Sequence, residues 1–315
     1  MKNESANRDL LLRAAILYYE QNMTQEKVAK TIGVSRPAVS KILQQARDSN
    51  LVEFFVKDHD KEVVELELKI QEKYHLNSVR VVSTRFNRST DAIFDQVGLL
   101  GAQYLKSILK KKIKIGIGWG NAISHFVDEV DYQKSEQAVI VPLVGGMGLL
   151  NLNIHANYLV SELASKLDSQ YSTFYAPVIA DTAENAKDLR QTSLVSSALK
   201  AAKSVDVAFI GIGNDVREST WCKLGYITKN ETDELERVGA IGDVVSDFFN
   251  SDGKTVKTDF SKRLIGITIN DLKKISDVVV MAVGEQKAAG IQAMLDQGVI
   301  NTLFIDWDIA ENLCL

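Results

Sequence analysis

Five polar residues near the start of the chain have the chemistry needed to contact DNA. They fall on the exposed positions of one predicted helix: Ser35, Arg36, Ser40, Lys41 and Gln44. In the major groove, arginine pairs with guanine, glutamine pairs with adenine, and hydroxyl groups reach bases or phosphates. The set therefore predicts a helix that lies in the groove of double-stranded DNA, although the same residues could also form an ordinary solvated helix face.

Glycine follows four apolar, strand-like runs in the rest of the chain, which indicates a site for a small polar molecule. The stretches are GIGWGN (116–121), LVGGMG (143–148), FIGIGND (209–215) and MAVGEQK (281–287). Glycine lets a backbone approach a ligand closely, and free N–H groups attract phosphate or hydroxyl oxygens. Any one glycine could simply end a strand, but the four together favour a pocket. The candidate residues are Gly118, Trp119, Gly120, Asn121, Gly145, Gly146, Gly211, Gly213, Glu285 and Lys287.

The DNA-contacting residues need a helix–turn–helix to position them. Residues 7–21 have the apolar spacing of one amphipathic helix, and Thr24 fits the N-cap of the next. Gly33 fits the turn, and Ser35 fits the N-cap of a third helix with a proline in its first turn. The alternating stretch LVEFFVKD (51–58) predicts the strand of a wing. The candidate DNA-binding residues are Thr24, Gln25, Ser35, Arg36, Pro37, Ser40, Lys41 and Gln44.

The glycine stretches need a parallel sheet to bring them together. Beyond residue 77, near-continuous apolar strands alternate with helices, a pattern typical of a parallel sheet covered on both faces. In a doubly wound α/β sheet of this kind, ligands bind beyond the carboxyl ends of the strands. The sequence therefore predicts an α/β fold in which residues 1–57 form a DNA-binding domain, residues 58–76 a linker helix, and residues 77–315 an effector and oligomerisation domain.

Charge and composition agree with this division. Residues 1–57 carry nine Lys and Arg against six Asp and Glu, a balance of +3. Because the whole chain has a net charge of −4, residues 58–315 have a balance of −7. A basic head on an acidic body fits a nucleic-acid reader with a second task. No apolar run is long enough for a membrane span, and the N-terminus does not resemble a signal peptide. The two cysteines, Cys222 and Cys314, form no metal motif. We expect a cytoplasmic protein without metal or cofactor.

Two catalytic interpretations are weaker. GIGWGN lacks the third glycine of a dinucleotide-binding fingerprint, which argues against NAD. Isomerase-like chemistry would need a base close to the reacting carbon, and the candidates are His125, His155, Asp215 and Asp243. No two of them stand in a signature spacing.

The chain resembles the SorC family of bacterial sugar-responsive transcription regulators over nearly its whole length. The first part matches in AAILYYEQNMTQEKVAKTIGVSRPAVSKILQQARDSNLV, with Lys41 where arginine is common. The body matches in IGIGWGNAI, VPLVGG, VDVAFIGIG, LGYIT, AIGDVVSDFFNSDGK and AVGEQKAAGIQAML. The resemblance implies a winged helix-turn-helix followed by an effector domain related in fold to sugar-phosphate isomerases and deaminases.

The resemblance also implies that the loop after Trp119, the region of Asp243, and Lys287 contribute to an effector pocket. Lys287 suits a phosphate or acid, and Asp243 could accept sugar hydroxyls or cap a helix formed by VVSDFF. Asn121 and Ala122 replace two threonines of some relatives, and Val144 precludes a covalent lysine adduct at that position.

We therefore expect a DNA-binding regulator, a repressor of a carbohydrate or polyol operon. Its predicted partners are operator DNA, other copies of itself in a dimer or tetramer, and a reversibly bound sugar, polyol or sugar phosphate. The alternative is a sugar-phosphate isomerase-like enzyme with an appended DNA-binding domain. A DNA-binding protein with a vestigial pocket is a further alternative.

Overall fold

The chain forms two compact units, Met1–Lys61 and Glu62–Leu315. The computed structural model describes residues 2–49, 51–52, 60–84, 89–109, 112–135, 137–148 and 151–314. Most of the predicted wing strand (51–58) lies outside these residues.

The first unit is a helical domain. Its elements are α1 (Lys2–Ala15), a π-helical turn (Ile16–Glu20), α2 (Gln25–Ile32) and α3 (Arg36–Asp48). The helix predicted over residues 7–21 thus begins earlier and ends in a π-helical turn. Buried side chains from all three helices form a separate small core that includes Leu11, Val28 and Val39.

Local hydrogen bonds explain the corner between α2 and α3. The Thr24 hydroxyl accepts from the Lys27 N–H at 3.4 Å, and the Ser35 hydroxyl accepts from the Ala38 N–H at 3.4 Å. Gly33 ends α2 with φ of 72°, a conformation that glycine adopts without a steric penalty. The predicted helix–turn–helix is therefore confirmed.

The second unit is an α/β domain. Its strands are β1 (Ser78–Val82), β2 (Ile113–Ile117), β3 (Ala138–Pro142), β4 (Gln170–Tyr171), β5 (Val207–Ile210), β6 (Gly242–Val244), β7 (Asp247–Phe249), β8 (Asp277–Ala282) and β9 (Thr302–Asp306). Its helices are α4 (Lys61–Tyr74), α5 (Thr90–Ile108), α6 (Asn121–Glu129), α7 (Ala156–Lys166), α8 (Ala183–Gln191), α9 (Ser193–Lys203), α10 (Thr220–Lys223), α11 (Lys229–Arg237), α12 (Ile269–Leu272), α13 (Ala288–Asp296) and α14 (Trp307–Cys314).

Seven strands form one parallel sheet in the order β1-β9-β8-β5-β2-β3-β4. Apolar side chains fill both of its faces, and every residue of β5 and β9 is buried. The predicted doubly wound parallel sheet is therefore confirmed. From β2, the chain builds outward first through β3 and β4, then returns to add β5, β8 and β9 on the other side. The order reverses between β2 and β5, the position at which open α/β sheets bind ligands.

The stretch around Asp243 differs from one of our interpretations. VVSDFF does not form a helix: β6 and β7 pair as an antiparallel hairpin, with Val245 and Ser246 at its tip. Apolar side chains of both short strands pack into the main core, among them Val244 and Phe248. Asp243 therefore lies on a strand and caps no helix.

Helices α5 and α6 pack closely on one face of the sheet because a glycine lies between them. A β-carbon at Gly98 would lie 2.7 Å from the backbone carbonyl carbon and oxygen of His125. The β-carbon is fixed to the backbone of α5 and would meet the backbone of α6, so no change of side-chain rotamer can relieve the contact.

We expect Gly98→Ala to lower the free energy of unfolding by about 1–3 kcal/mol, although alanine normally stabilises a helix relative to glycine. Urea unfolding followed by tryptophan fluorescence measures this, because all three tryptophans of the chain lie beyond residue 61. Leu99→Ala is the matched control, since Leu99 is 41% exposed on the same helix. A Gly98→Ala chain as stable as the wild type would contradict this account of the packing.

Candidate functional site

A cavity opens where the strand order reverses, beyond the carboxyl ends of β2 and β5. It contains about 570 Å³ of space not occupied by atoms, its open mouth included. The lining residues are Gly118, Trp119, Gly120, Asn121, Ala122, Ile210, Gly211, Ile212, Gly213, Thr220, Trp221, Asp243, Val245 and Lys287. Residues from five separate stretches of the sequence therefore converge on one opening.

The first wall is the start of α6. Gly120 is the N-cap residue with φ of 106°, and no side chain caps this helix. A helix N-terminus carries partial positive charge and unpaired N–H groups, which together favour an anion. Asn121 provides the polar side chain of this wall and is exposed. This wall can therefore attract a negatively charged group of a ligand.

The second wall contains a buried carboxylate. Asp243 is 6% exposed, and its Oδ2 accepts a hydrogen bond of 2.9 Å from the Trp221 indole Nε1. Burial raises the pKa of Asp243 to about 6, against the opposing effects of the Trp221 hydrogen bond and of the Lys287 charge. A negative charge is therefore held in the wall at an energetic cost.

Asp243 also lies against a glycine turn. The Gly213 N–H donates to the Asp243 backbone carbonyl at 2.7 Å. A β-carbon at Gly213 would lie 1.8 Å from Asp243 Oδ1, and one at Gly242 would lie 2.7 Å from the Gly213 carbonyl oxygen. Only glycine fits at these two positions with the backbone as it is.

The third wall carries the positive charge. Lys287 lies at the N-cap of α13 and is half-buried. Burial lowers its pKa, and the neighbouring Asp243 and Asp306 carboxylates partly restore it. Asp306 in turn accepts hydrogen bonds from the N–H groups of Gly284 at 2.5 Å and Ile309 at 2.9 Å. The lysine thus stands between two carboxylates, one of which lines the cavity.

Two indole rings contribute to the apolar part of the cavity. Trp119 and Trp221 pack edge to face with ring centroids 4.8 Å apart. The Trp119 Nε1 donates to the Val245 carbonyl at 3.4 Å. Val245 has φ of 49°, a strained conformation for a β-branched residue. The hairpin tip is therefore held in place partly through Trp119.

The cavity brings together eight of the eleven residues predicted for effector binding: Gly118, Trp119, Gly120, Asn121, Gly211, Gly213, Asp243 and Lys287. Gly145, Gly146 and Glu285 do not line it. A β-carbon at Gly145 would lie 2.7 Å from the backbone of Pro177, and the Gly146 N–H donates to Ala176. This glycine pair therefore serves close packing of one backbone against another.

Sequence reasoning missed six lining residues, which are Ala122, Ile210, Ile212, Thr220, Trp221 and Val245. Trp221 is the most informative of them, because it bonds Asp243 and packs on Trp119. Its one signal in the sequence is a large aromatic residue within the otherwise polar run RESTWCK (217–223).

Three of the four catalytic candidates lie outside the cavity lining. His125 pairs with Asp95 at 2.7 Å on α6. His155 is buried at the start of α7, where burial lowers its pKa. Asp215 caps the short 3-10 turn Val216–Glu218. Only Asp243 lines the cavity. Within the described residues, no group of three or more His, Cys, Asp or Glu side chains could hold a metal ion.

The predicted DNA-binding residues lie at the start of α2 and along α3. Seven of the eight are exposed, and Gln25 is partly exposed. Gln44 bonds Asp48 at 2.8 Å and Arg47 at 2.6 Å. In the part of the first unit that the structure describes, Arg36 and Lys41 have no ion-pair partner. Their charges are therefore available to phosphates or bases.

Comparison with known proteins identifies both parts of the chain. A family model described as "Putative sugar-binding domain" matches residues 58–314, and a helix-turn-helix model matches residues 12–48. Among the described residues, no helix is long and apolar enough to cross a membrane.

Individual relatives match over nearly the whole chain. Transcriptional regulator LsrR from Klebsiella pneumoniae subsp. pneumoniae is 29% identical over 95% of this chain and 90% of its own length. The sorbitol operon regulator from Klebsiella pneumoniae is 27% identical over 96% of this chain and 97% of its own.

A solved structure also matches nearly the whole chain. The crystal structure of the full-length sorbitol operon regulator SorC from Klebsiella pneumoniae has a TM-score of 0.77 at 27% identity, and the match covers 99% of this chain and 100% of that chain. Since these relatives are named regulators with the same two parts, the chain belongs to the SorC family of bacterial transcription regulators and combines a DNA-binding helix–turn–helix with a sugar-binding domain.

Proposed function

We propose that the chain is a cytoplasmic repressor of a carbohydrate or polyol operon, released from its operator by an effector that binds the cavity noncovalently. The observation that carries the proposal is the cavity itself, which combines an uncapped helix N-terminus, a lysine and a buried carboxylate. A sugar, polyol or sugar phosphate offers the hydroxyl groups and negative charge that match these groups.

The operator contact rests on α3. Arg36 and Lys41 project from the exposed side of this helix, and Ser40 and Gln44 lie beside them. Bidentate pairing of arginine with guanine reads sequence, whereas lysine acts as a point charge. We therefore assign base recognition to Arg36 and phosphate contact to Lys41.

The effector contact rests on two positive features that face one opening. Lys287 and the start of α6 attract an anionic group, and the Trp119 and Trp221 rings offer apolar edges to the carbon skeleton of a sugar. Asn121 offers one polar side chain where some relatives have two hydroxyls, which favours weaker phosphate binding at this loop. Val144 has no amine that could form an imine at its own position, which favours reversible, noncovalent binding.

The effector is bound and not converted. Isomerisation needs a base within hydrogen-bond reach of the substrate and a second group that stabilises charge. Of the four candidate residues, only Asp243 lines the cavity, and one of its oxygens is already bonded to Trp221. Incubation of pure protein with a panel of sugar phosphates tests this point, and turnover of any of them would support the enzyme alternative.

Control of DNA binding follows from a two-state equilibrium. Recognition helices of a dimer or tetramer engage repeated half-sites at a spacing fixed by contacts between subunits. An effector shifts the population only by its difference in affinity between the two arrangements. An effector that bound both arrangements equally tightly would leave the operator occupied.

Arg36→Ala should weaken binding to the operator by about 1–3 kcal/mol, because a bidentate base contact is lost. Fluorescence anisotropy with a genomic fragment selected by the wild type measures this. Arg237→Ala removes the same charge from an exposed position of the second unit and should leave affinity unchanged. Full operator affinity in Arg36→Ala would show that α3 is not the reading helix.

Lys287→Ala should leave operator affinity unchanged and abolish the response to effector. A thermal-shift screen of sugars, polyols and their phosphates identifies the effector, since a ligand at 100 times its Kd stabilises the fold by about 2.7 kcal/mol. In the same screen, Lys274→Ala is the matched control, because Lys274 is exposed on the surface of this unit. A normal dose response in Lys287→Ala, or a screen without any stabilising compound, would contradict the proposed effector site.

A further inference from the structure

The cavity holds opposite charges side by side. Lys287 and the start of α6 attract anions, yet Asp243 lines the same opening. An anion that reaches the lysine therefore also meets a carboxylate. The question is whether Asp243 is available to bind the ligand or acts on it only through its charge.

Neighbouring groups hold the Asp243 carboxylate on two sides. Oδ2 accepts the indole hydrogen bond of Trp221 at 2.9 Å. Oδ1 lies so close to the glycine turn that a β-carbon at Gly213 would approach it to 1.8 Å. The carboxylate is 6% exposed and is fixed between these neighbours. It therefore acts mainly as a fixed negative charge in the wall.

We propose that Asp243 is a specificity-determining residue of the effector site, and that an anionic effector binds together with one proton that neutralises this carboxylate. The inference rests on the proposed effector site and states how that site selects its ligand. The proton comes from solvent, converts the carboxylate to the neutral acid, and returns to solvent when the effector leaves.

The charged groups around Asp243 support this coupling. Trp221 and Lys287 face the carboxylate, and Lys287 is also influenced by Asp306 and Lys223. Burial raises the pKa of Asp243 to about 6, so protonation is accessible near neutral pH. An anion that draws on the Lys287 charge removes part of what keeps Asp243 ionised, and so raises its pKa further.

The sign of the pH dependence follows. Well below pH 6 the carboxyl group is already neutral, and the affinity for an anion is at its maximum. Above pH 6, each unit of pH costs about a factor of ten in affinity, because a proton must be taken up on binding. A neutral polyol would bind with little pH dependence. The site would therefore select anions more strongly in acid than in alkaline solution.

Sulfate is a suitable probe, since it remains a dianion between pH 5 and pH 8. Calorimetric titration of the full chain at constant ionic strength should give a Kd that rises roughly 50- to 100-fold from pH 5 to pH 8. Titration at pH 8 in two buffers of different ionisation enthalpy should report the uptake of about one proton per sulfate. This measurement needs no variant and so does not depend on how a mutant folds.

Three variants separate the causes. Asp243→Asn keeps an acceptor for Trp221 and removes the charge, so it should bind sulfate at pH 8 about as tightly as the wild type does at pH 5. Lys287→Ala should lose sulfate binding at both pH values. Asp188→Asn, at an exposed position of α8, should behave as the wild type.

The outcomes distinguish this inference from the proposed function. Sulfate binding that is independent of pH would overturn the role of Asp243 and leave the effector site standing. A loss of affinity with pH that persists in Asp243→Asn would assign the effect to deprotonation of Lys287 and would likewise overturn it. Absence of sulfate binding at every pH would contradict both this inference and an anionic effector.

Discussion

The reversal of strand order between β2 and β5 is the constraint on which the rest of the second unit depends. Parallel strands need crossover connections, and the connections on either side of this point leave the sheet in opposite directions. No helix can cover the carboxyl ends of both strands there. An opening is therefore a consequence of the topology, and the glycines that follow β2 and β5 keep it clear of side chains. The polar and aromatic side chains of the cavity come from α6 and the loop before it, α10, the β6–β7 hairpin and the start of α13.

The polar groups of the cavity reduce the stability of the fold, which is typical of a binding site and not of an apolar core. A buried carboxylate with a raised pKa, a lysine with a lowered one and a valine with positive φ each reduce stability. Asp243 and Lys287 offset part of the cost by facing each other. Features of this kind persist where structure is used for binding, because well-packed apolar residues would be more stable in the same place.

The sequence predicted the fold and most of the cavity because both follow from local patterns. Caps at Thr24 and Ser35 define the helix–turn–helix, and apolar runs that end in glycine define strands whose ends must meet. Trp221 could not be predicted in this way, since a short helix between β5 and β6 carries it into the cavity. The sequence pattern assigns Gly145 to the pocket, because a glycine that contacts a ligand and a glycine that contacts another backbone look alike in sequence. Their difference lies only in the tertiary neighbour, here Pro177.

The contact between Gly213 and Gly242 limits how the lining of the cavity can change. With a β-carbon at Gly242 only 2.7 Å from the Gly213 carbonyl oxygen, neither position can accept a larger residue without rebuilding the wall behind Asp243. The start of α6 and the short helix α10 are free of this restriction. Divergence of chemical preference would therefore proceed through residues such as Asn121 and Thr220, around an inner wall that stays the same.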